Sequence, residues 1–179
     1  LSRALRILKQ TCQGMAHAHL HGVIHRDLKP GNLLLDGGGA EEAVKIVDFG
    51  IAKCFDDDAD ETAAALFLSE SGQFIGTAMY MSPEQAQGQE PDASSDIYAL
   101  GCIMYELIVG KPPFQGHSSL ELRHKHVNEH PPAIKPRPEL AALPPQLVAL
   151  VQSSMAKQPK HRPSSMLELL SSLESDLKN

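Results

Sequence analysis

Apolar residues recur at spacings of three and four through the first twenty positions of the chain: Leu1, Ala4, Leu5, Leu8, Cys12, Met15, Ala16 and Leu20. That period predicts an amphipathic helix over residues 1–21, stopped by Gly22. Two short β-rich runs follow, NLLL (32–35) and VKIVDF (44–49), joined by DGGGAEEA, whose glycines and acids read as a loose hairpin turn. Residues 51–80 are polar, acidic and alanine-rich without a sustained period, so a long loop is expected there.

The second half reads as helical. SSDIYALGCIMYELIVG (94–110) starts on Ser or Ser–Asp, ends on Gly110 and is apolar on nearly every face, the pattern of a buried helix. PPQLVALVQSSMAK (144–157) and SSMLELLSSLESDL (164–177) predict two amphipathic helices, the second opened by Ser165 and Glu168 at capping-box spacing. The proline-rich stretches GKPPF, HPPAIKPRP and LPP read as turns. Neither an internal repeat nor a linker divides the chain, which predicts one mainly α domain with a small β-hairpin over residues 1–179.

Composition changes this picture little. With 179 residues, 42% hydrophobic and 21% charged, the chain is an ordinary globular sequence. The net charge of −6 is local: Asp56, Asp57, Asp58, Asp60 and Glu61 form one run, and without it the balance would be about −1. A basic footprint for nucleic acid is lacking. Cys12, Cys54 and Cys102 are too far apart for a CxxC site and odd in number for a disulfide framework, so a reducing, cytoplasmic setting is expected. The longest apolar run, near 97–109, carries Glu106 and is too short to span a bilayer. Membrane anchorage of a longer protein is left open. The chain opens without an initiator Met and already in helical register, as a piece of a longer protein would.

The chemistry concentrates in GVIHRDLKPGNLLL (22–35). A carboxylate such as Asp27, on a loop before a strand, can accept or orient a proton on a substrate hydroxyl. Lys29 can set its ammonium beside charge developing on a transferring phosphoryl group. Asn32 offers an amide oxygen to a hard cation such as Mg2+. The end of VKIVDFG supplies a second oxygen ligand, Asp48, with Phe49 to anchor it and Gly50 to let the chain turn. The hairpin returns Asp48 to the neighbourhood of Asn32.

HRDLKPGN, DFG, GTAMYMSPEQ, SSDIYALGCIMYELIVGKPPF and the RP of KHRPSSM, in that order, resemble the carboxy-terminal lobe of a eukaryotic-type Ser/Thr protein kinase. GTAMYMSPEQ and KHVNEHPP are most similar to the bacterial, PknB-like branch. The resemblance covers essentially the whole chain and implies the helical large lobe of the kinase fold, with residues 48–84 as activation segment. It implies ATP and Mg2+ as cofactors and Ser/Thr hydroxyls of proteins as substrate.

Residue by residue, it implies Asp27 as catalytic aspartate, Lys29 as the lysine on the γ-phosphate, and Asn32 and Asp48 as metal ligands. It implies His25 as the histidine bracing the catalytic-loop backbone, and Arg26 as the arginine that meets an activation-loop phosphate. Thr77 resembles the threonine that bonds the catalytic Asp and Lys. Glu84 is expected to pair with Arg162, and Asp96 to hold the catalytic-loop backbone. Thr62, Ser69, Ser71 and Thr77 are the hydroxyls that phosphorylation could reach, with a second copy of the chain allowed as partner in autophosphorylation. Ser82 stands where the family usually has alanine, a change expected to be harmless.

Other polar features read as structural. His17 with His21, and His126 with His130, have the i, i+4 spacing of a zinc pair, but nothing in the sequence completes either site. The acidic run lacks the glycine and terminal glutamate of a calcium loop, and Cys54 reads as a plain loop cysteine. A glycine-rich nucleotide loop and a strand lysine, both features of the kinase amino-terminal lobe, find no match in the 179 residues. That lobe is therefore an expected partner, its packing surface is expected to be bared here, and the chain alone is expected to have little or no activity. Two other readings stay open: an inactive scaffold, and a small-molecule phosphotransferase of kinase-like fold.

Overall fold

The computed structural model describes residues 2–50, 76–140 and 143–175. Leu1, Cys54, the acidic run, Thr62, Ser69 and Ser71 lie outside the described residues, as do the last positions of the expected C-terminal helix.

Helix α1 (Ser2–Leu20) buries Leu5, Leu8, Cys12, Met15 and Ala16, the stripe expected from the period. Thr11 is buried with them because its hydroxyl is satisfied within the helix, donating to Ile7 O at 2.9 Å. Leu20, expected on the stripe, is instead 75% exposed. Gly22, at φ 73°, closes the end: Gly22 N donates to His19 O and Val23 N to Ala18 O, both at 3.0 Å. These are the two bonds of a Schellman cap.

Strands β1 (Leu33–Asp36) and β2 (Ala43–Ile46) pair antiparallel, Leu33 opposite Ile46 and Asp36 opposite Ala43. A 3-10 turn at Gly39–Glu41 joins them, and Lys45 pairs with Asp36 across the ladder. The second strand is shorter than the apolar run suggests. Asp48 and Phe49 leave the ladder, which frees them for the site described below.

Helix α2 (Pro83–Ala86) is one turn long, and a further helical turn at 76–78 occupies the end of the expected loop. Helix α3 (Ala93–Val109) is the axis of the fold. Ile97, Tyr98, Leu100, Cys102, Ile103 and Met104 are all buried, as expected of a helix apolar all round. Its N-cap is Asp92 rather than a serine: the Asp92 carboxylate accepts from Ser94 N at 2.8 Å and from the Ser94 hydroxyl at 2.5 Å. Gly110 ends it at φ 88°.

Helix α4 (Ser119–Asn128) was not expected, because only Leu122 and His126 of its ten residues are buried and the apolar period is faint. A capping signal was nonetheless present. Ser118 accepts from Glu121 N at 3.2 Å, and Glu121 then pairs with Lys125 one turn on. Helices α5 (Pro145–Ser154) and α6 (Met166–Ser175) follow the sequence expectation, although α5 stops before Met155. At the start of α6, Ser165 accepts from Glu168 N at 3.1 Å, but the Glu168 carboxylate turns back to Ser164, so the expected box is only half formed.

Helix α1 packs on α6 and β2, α3 on α5, and α2 on α4. The α3–α5 contact is close enough to require a glycine. A Cβ on Gly101 would lie 2.8 Å from Ser154 Cβ. Cys12 and Cys102 are buried free thiols; burial pushes Cys12 up to about 12 and Cys102 higher still.

Candidate active site

The loop between α1 and β1 carries His25, Arg26, Asp27, Lys29 and Asn32, and it is hung from the start of α3. Asp96, buried in the first turn of that helix, accepts His25 N at 2.9 Å on Oδ2 and Arg26 N at 3.0 Å on Oδ1. His19 Nε2 donates to the same Oδ2 at 2.8 Å. His19 was missed in the sequence, where it appeared only as one of three alternating histidines. It lies 77 positions from its partner, and no local pattern links the two.

Holding two successive amides forces an uncommon backbone. Arg26 sits at φ 66°, in the left-handed region that non-glycine residues seldom enter. The distortion directs Asp27 toward Lys29 and the 76–80 turn. Lys29 Nζ donates to Asp27 Oδ2 and to Thr77 Oγ1, each at 2.9 Å, so a single ammonium bridges the two. Asn32 is buried, its Nδ2 donating to Asp27 O at 2.8 Å. Asn32 Oδ1 accepts no hydrogen bond among the described residues.

Asp48 reaches the same end of the hairpin. Val47 N donates to Asn32 O at 3.0 Å, which extends the ladder by one step and sets Asp48 beside Asn32. Asp48 is exposed and, at φ 56°, also left-handed. The turn expected of Gly50 is thus made by Asp48. Gly50 is needed for another reason: its N donates to His25 O at 2.8 Å, and a Cβ there would meet that same oxygen at 2.9 Å. The His25 ring packs on Phe49 with centroids 4.6 Å apart. Its Nε2 donates to Val47 O at 3.0 Å and its Nδ1 accepts from Asp27 N at 3.3 Å. One imidazole thereby joins the backbones on either side of the site.

The 82–85 stretch is tied to α3 and to the turn before α6. Arg162 donates to both oxygens of Glu84, Nη1 to Oε1 at 2.7 Å and Nη2 to Oε2 at 2.8 Å, and Ser95 donates to Oε1 at 2.7 Å. Burial pushes the Glu84 carboxyl up, but the Arg162 and Ser95 hydrogen bonds and the Arg162 charge outweigh it and hold it below the usual range. Ser82 does more than fill space. It caps α2 in a full capping box with Gln85, and Gln85 Nε2 donates to Arg26 O at 2.7 Å. Arg26 itself donates from Nη2 to Glu90 Oε1 at 2.9 Å, with Glu90 82% exposed.

The remaining histidines stand apart from this cluster. His17 and His21 stack at 4.4 Å, with His21 Nδ1 donating to His17 O. His126 is buried against Phe114 and Tyr98, and its Nδ1 accepts from the Tyr98 hydroxyl at 2.9 Å. Burial, with the neighbouring Lys157 charge, lowers His126 to about 3. Among the described residues no three His, Cys, Asp or Glu side chains are grouped to hold a metal ion.

Asp27, Lys29, Asn32 and Asp48 thus lie on the loops flanking a two-stranded hairpin, in a helical lobe built round a buried helix. The sequence model described as Protein kinase domain matches residues 2–173. The chain belongs to the protein kinase family, and its fold is that of the large, carboxy-terminal lobe.

It is 39% identical over 171 residues to the serine/threonine-protein kinase PknB of Mycolicibacterium smegmatis, covering 96% of this chain and 26% of that protein. The same figures hold for PknB of Mycobacterium leprae. Identity is 41% over 174 residues to the probable serine/threonine-protein kinase PknB of Corynebacterium glutamicum, covering 95% of this chain and 25% of the relative. The chain thus spans about a quarter of the length of these relatives.

Proposed function

We propose that the chain is the catalytic-loop and substrate-binding lobe of an enzyme that transfers the γ-phosphate of ATP to Ser/Thr hydroxyls of proteins. The observation that carries this reading is the Lys29 ammonium shared between Asp27 and Thr77 at 2.9 Å each. In this reading Asp27 accepts a hydrogen bond from the substrate hydroxyl and aims its oxygen at the phosphorus. Lys29 lies where charge accumulates on the phosphoryl oxygens, and Thr77 fixes the lysine and borders the peptide.

The residues present fit a magnesium–nucleotide complex. Asn32 Oδ1 and the exposed Asp48 carboxylate lie at the same end of the hairpin and have no hydrogen-bond partners among the described residues, which leaves them free to ligate a hard cation. Bound Mg2+ and ATP would supply the γ-phosphoryl group and neutralise its charge. Strand β1 leaves Leu34 and Leu35 exposed on opposite faces of the hairpin, apolar side chains that an amino-terminal lobe could cover.

We read residues 48–84 as the activation segment, anchored at its far end by Glu84 and Arg162. A phosphate on Thr62, Ser69 or Ser71 would compete with Glu90 for Arg26, because guanidinium pairs bidentately with phosphate. Thr77, already engaged by Lys29, fits the bridging role better than that of a phosphorylation site. Protein rather than small-molecule substrates are favoured by the anchored 76–85 segment, which forms a shelf beside Asp27.

The test is phosphate transfer from ATP and Mg2+ to a degenerate Ser/Thr peptide mixture by the full-length protein and by its Asp27→Asn variant. The variant is expected to lose about a hundredfold or more in kcat. Equal activity in both, or transfer only to small-molecule acceptors, would refute the reading. The 179-residue chain alone, without a glycine-rich loop in its sequence, is expected to transfer little or nothing in the same assay.

A further inference from the structure

The backbone at Arg26 is the least comfortable point of the catalytic loop. At φ 66° a long side chain is strained, and such a conformation persists only where its surroundings over-determine it. Asp96 of α3 holds the amide on one side of the residue, with Oδ1 accepting Arg26 N at 3.0 Å. The carbonyl on the other side belongs to the peptide unit that leads into Asp27. It is held by a different element, accepting Gln85 Nε2 of α2 at 2.7 Å.

The Gln85 amide cannot easily turn away. Its Oε1 accepts Ser82 N at 3.1 Å and the Ser82 hydroxyl at 3.2 Å, while Ser82 Oγ accepts Gln85 N at 3.3 Å. With the oxygen committed to the helix cap, the NH2 group is left facing the loop. The neighbouring Glu84 locks α2 in place through its two bonds to Arg162. A continuous set of hydrogen bonds therefore runs from the anchored 82–85 segment to the peptide unit beside Asp27.

We propose that Gln85 is a positioning residue for phosphoryl transfer, strapping the catalytic loop at the Arg26 carbonyl to the N-cap of α2 at Ser82. This rests on the kinase reading above. It deepens that reading by making the seating of the 82–85 segment a condition for the placement of Asp27. A slack strap removes this hold on the Arg26 carbonyl, so Asp27 loses alignment while the substrate and nucleotide contacts persist. The consequence falls on kcat rather than on KM.

Three variants of the full-length protein separate the strap from the cap. Gln85→Glu keeps an oxygen for Ser82 N but presents an acceptor to the Arg26 carbonyl. Gln85→Leu removes the Arg26 bond and both bonds that Oε1 accepts from Ser82. Ser82→Ala loosens the cap and leaves the Arg26 bond. Steady-state kinetics use the best peptide that the wild type selects from a degenerate Ser/Thr mixture, with thermal melting in parallel.

Gln85→Glu is expected to lower kcat about tenfold, the effect of one lost hydrogen bond and an added repulsion, with both KM values within about twofold. Ser82→Ala should lower the melting temperature more and kcat less. The inference is overturned if kcat of Gln85→Glu stays within about twofold of wild type, or if kcat follows melting temperature across the set. Should Gln85→Leu fail to fold, Gln85→Glu against Ser82→Ala decides. A wild type that phosphorylates no peptide overturns the kinase reading and this inference together, whereas an active wild type with an unaffected Gln85→Glu overturns the inference alone.

Discussion

Replacing Arg162 with leucine removes six donated hydrogen bonds from a side chain that is fully buried. Two go to Glu84, and the others to Ser94 O at 2.9 Å, Ser94 Oγ at 3.4 Å, Lys157 O at 3.0 Å and Ala156 O at 2.8 Å. The carboxylate left behind keeps the Ser95 hydroxyl and its own backbone amide. Breaking a buried pair by deleting one partner costs about 3–5 kcal/mol, chiefly through the uncompensated charge. Against a typical stability of about 5–15 kcal/mol this is a large fraction. In a chain of this size it corresponds to a fall in Tm of about 6–20 °C.

The pH dependence identifies the cause. In the wild type Glu84 lies below its ordinary value of 4.5, so its stabilisation is complete above that pH and is lost as pH falls through the lower folded value. Without Arg162, burial dominates and the folded value rises above 4.5. The penalty of the variant is then full at pH 7 and shrinks as acid protonates Glu84. Urea denaturation of both proteins at pH 7 and pH 5, followed by circular dichroism, measures this. Arg162→Leu combined with Glu84→Leu is expected to recover more than half of the loss, since no charge is left stranded. A loss below about 1 kcal/mol at pH 7 would refute the reasoning, as would an equal loss at both pH values or no recovery in the double variant.

Two further outcomes are expected from the same structure. Gly101→Ala should destabilise by about 1–3 kcal/mol despite alanine's better helix propensity, because its Cβ would overlap Ser154 on the neighbouring helix; a neutral or stabilising result in thermal melts would contradict that packing. His126 is held neutral to about pH 3, with Lys157 and the Tyr98 hydroxyl facing it, so the unfolded chain takes up a proton near pH 6.5 that the folded one refuses. Stability should therefore fall by up to about 2 kcal/mol between pH 6.5 and 5, and His126→Asn, which keeps an acceptor for Tyr98, should remove that slope in urea titrations.

Much of the fold could be read from pattern because its main elements have strong periods. The buried stripe of α1, the all-round apolar α3, the hairpin, and α5 and α6 each carry their own signal within a dozen residues. Helix α4 carries almost none, since it buries only Leu122 and His126, and its one legible mark is the Ser118–Glu121 cap. The candidate site divides in the same way. Asp27, Lys29, Asn32 and Asp48 stand out because charged residues flank short strands. His19 and Gln85 look like surface residues until their partners are known.

By itself the amino-acid sequence determined the main helices α1, α3, α5 and α6 and the hairpin, which end of the hairpin is polar, and the family to which the chain belongs. These properties depend on residues within a turn or two of one another, where spacing alone decides which side chains share a face. The family resemblance pointed to the Lys29–Thr77 and Glu84–Arg162 partners and to Asp96 as the anchor of the catalytic loop, but no local pattern does. The tertiary structure brings them together across 48 and 78 positions and alone adds His19 to Asp96. It also decided that Arg26 and Asp48, within the site, join several glycines in the left-handed backbone. The physical reason is one of range. A buried charge or a strained peptide must be satisfied by whatever the fold brings beside it, and that neighbour leaves no periodic trace in the chain.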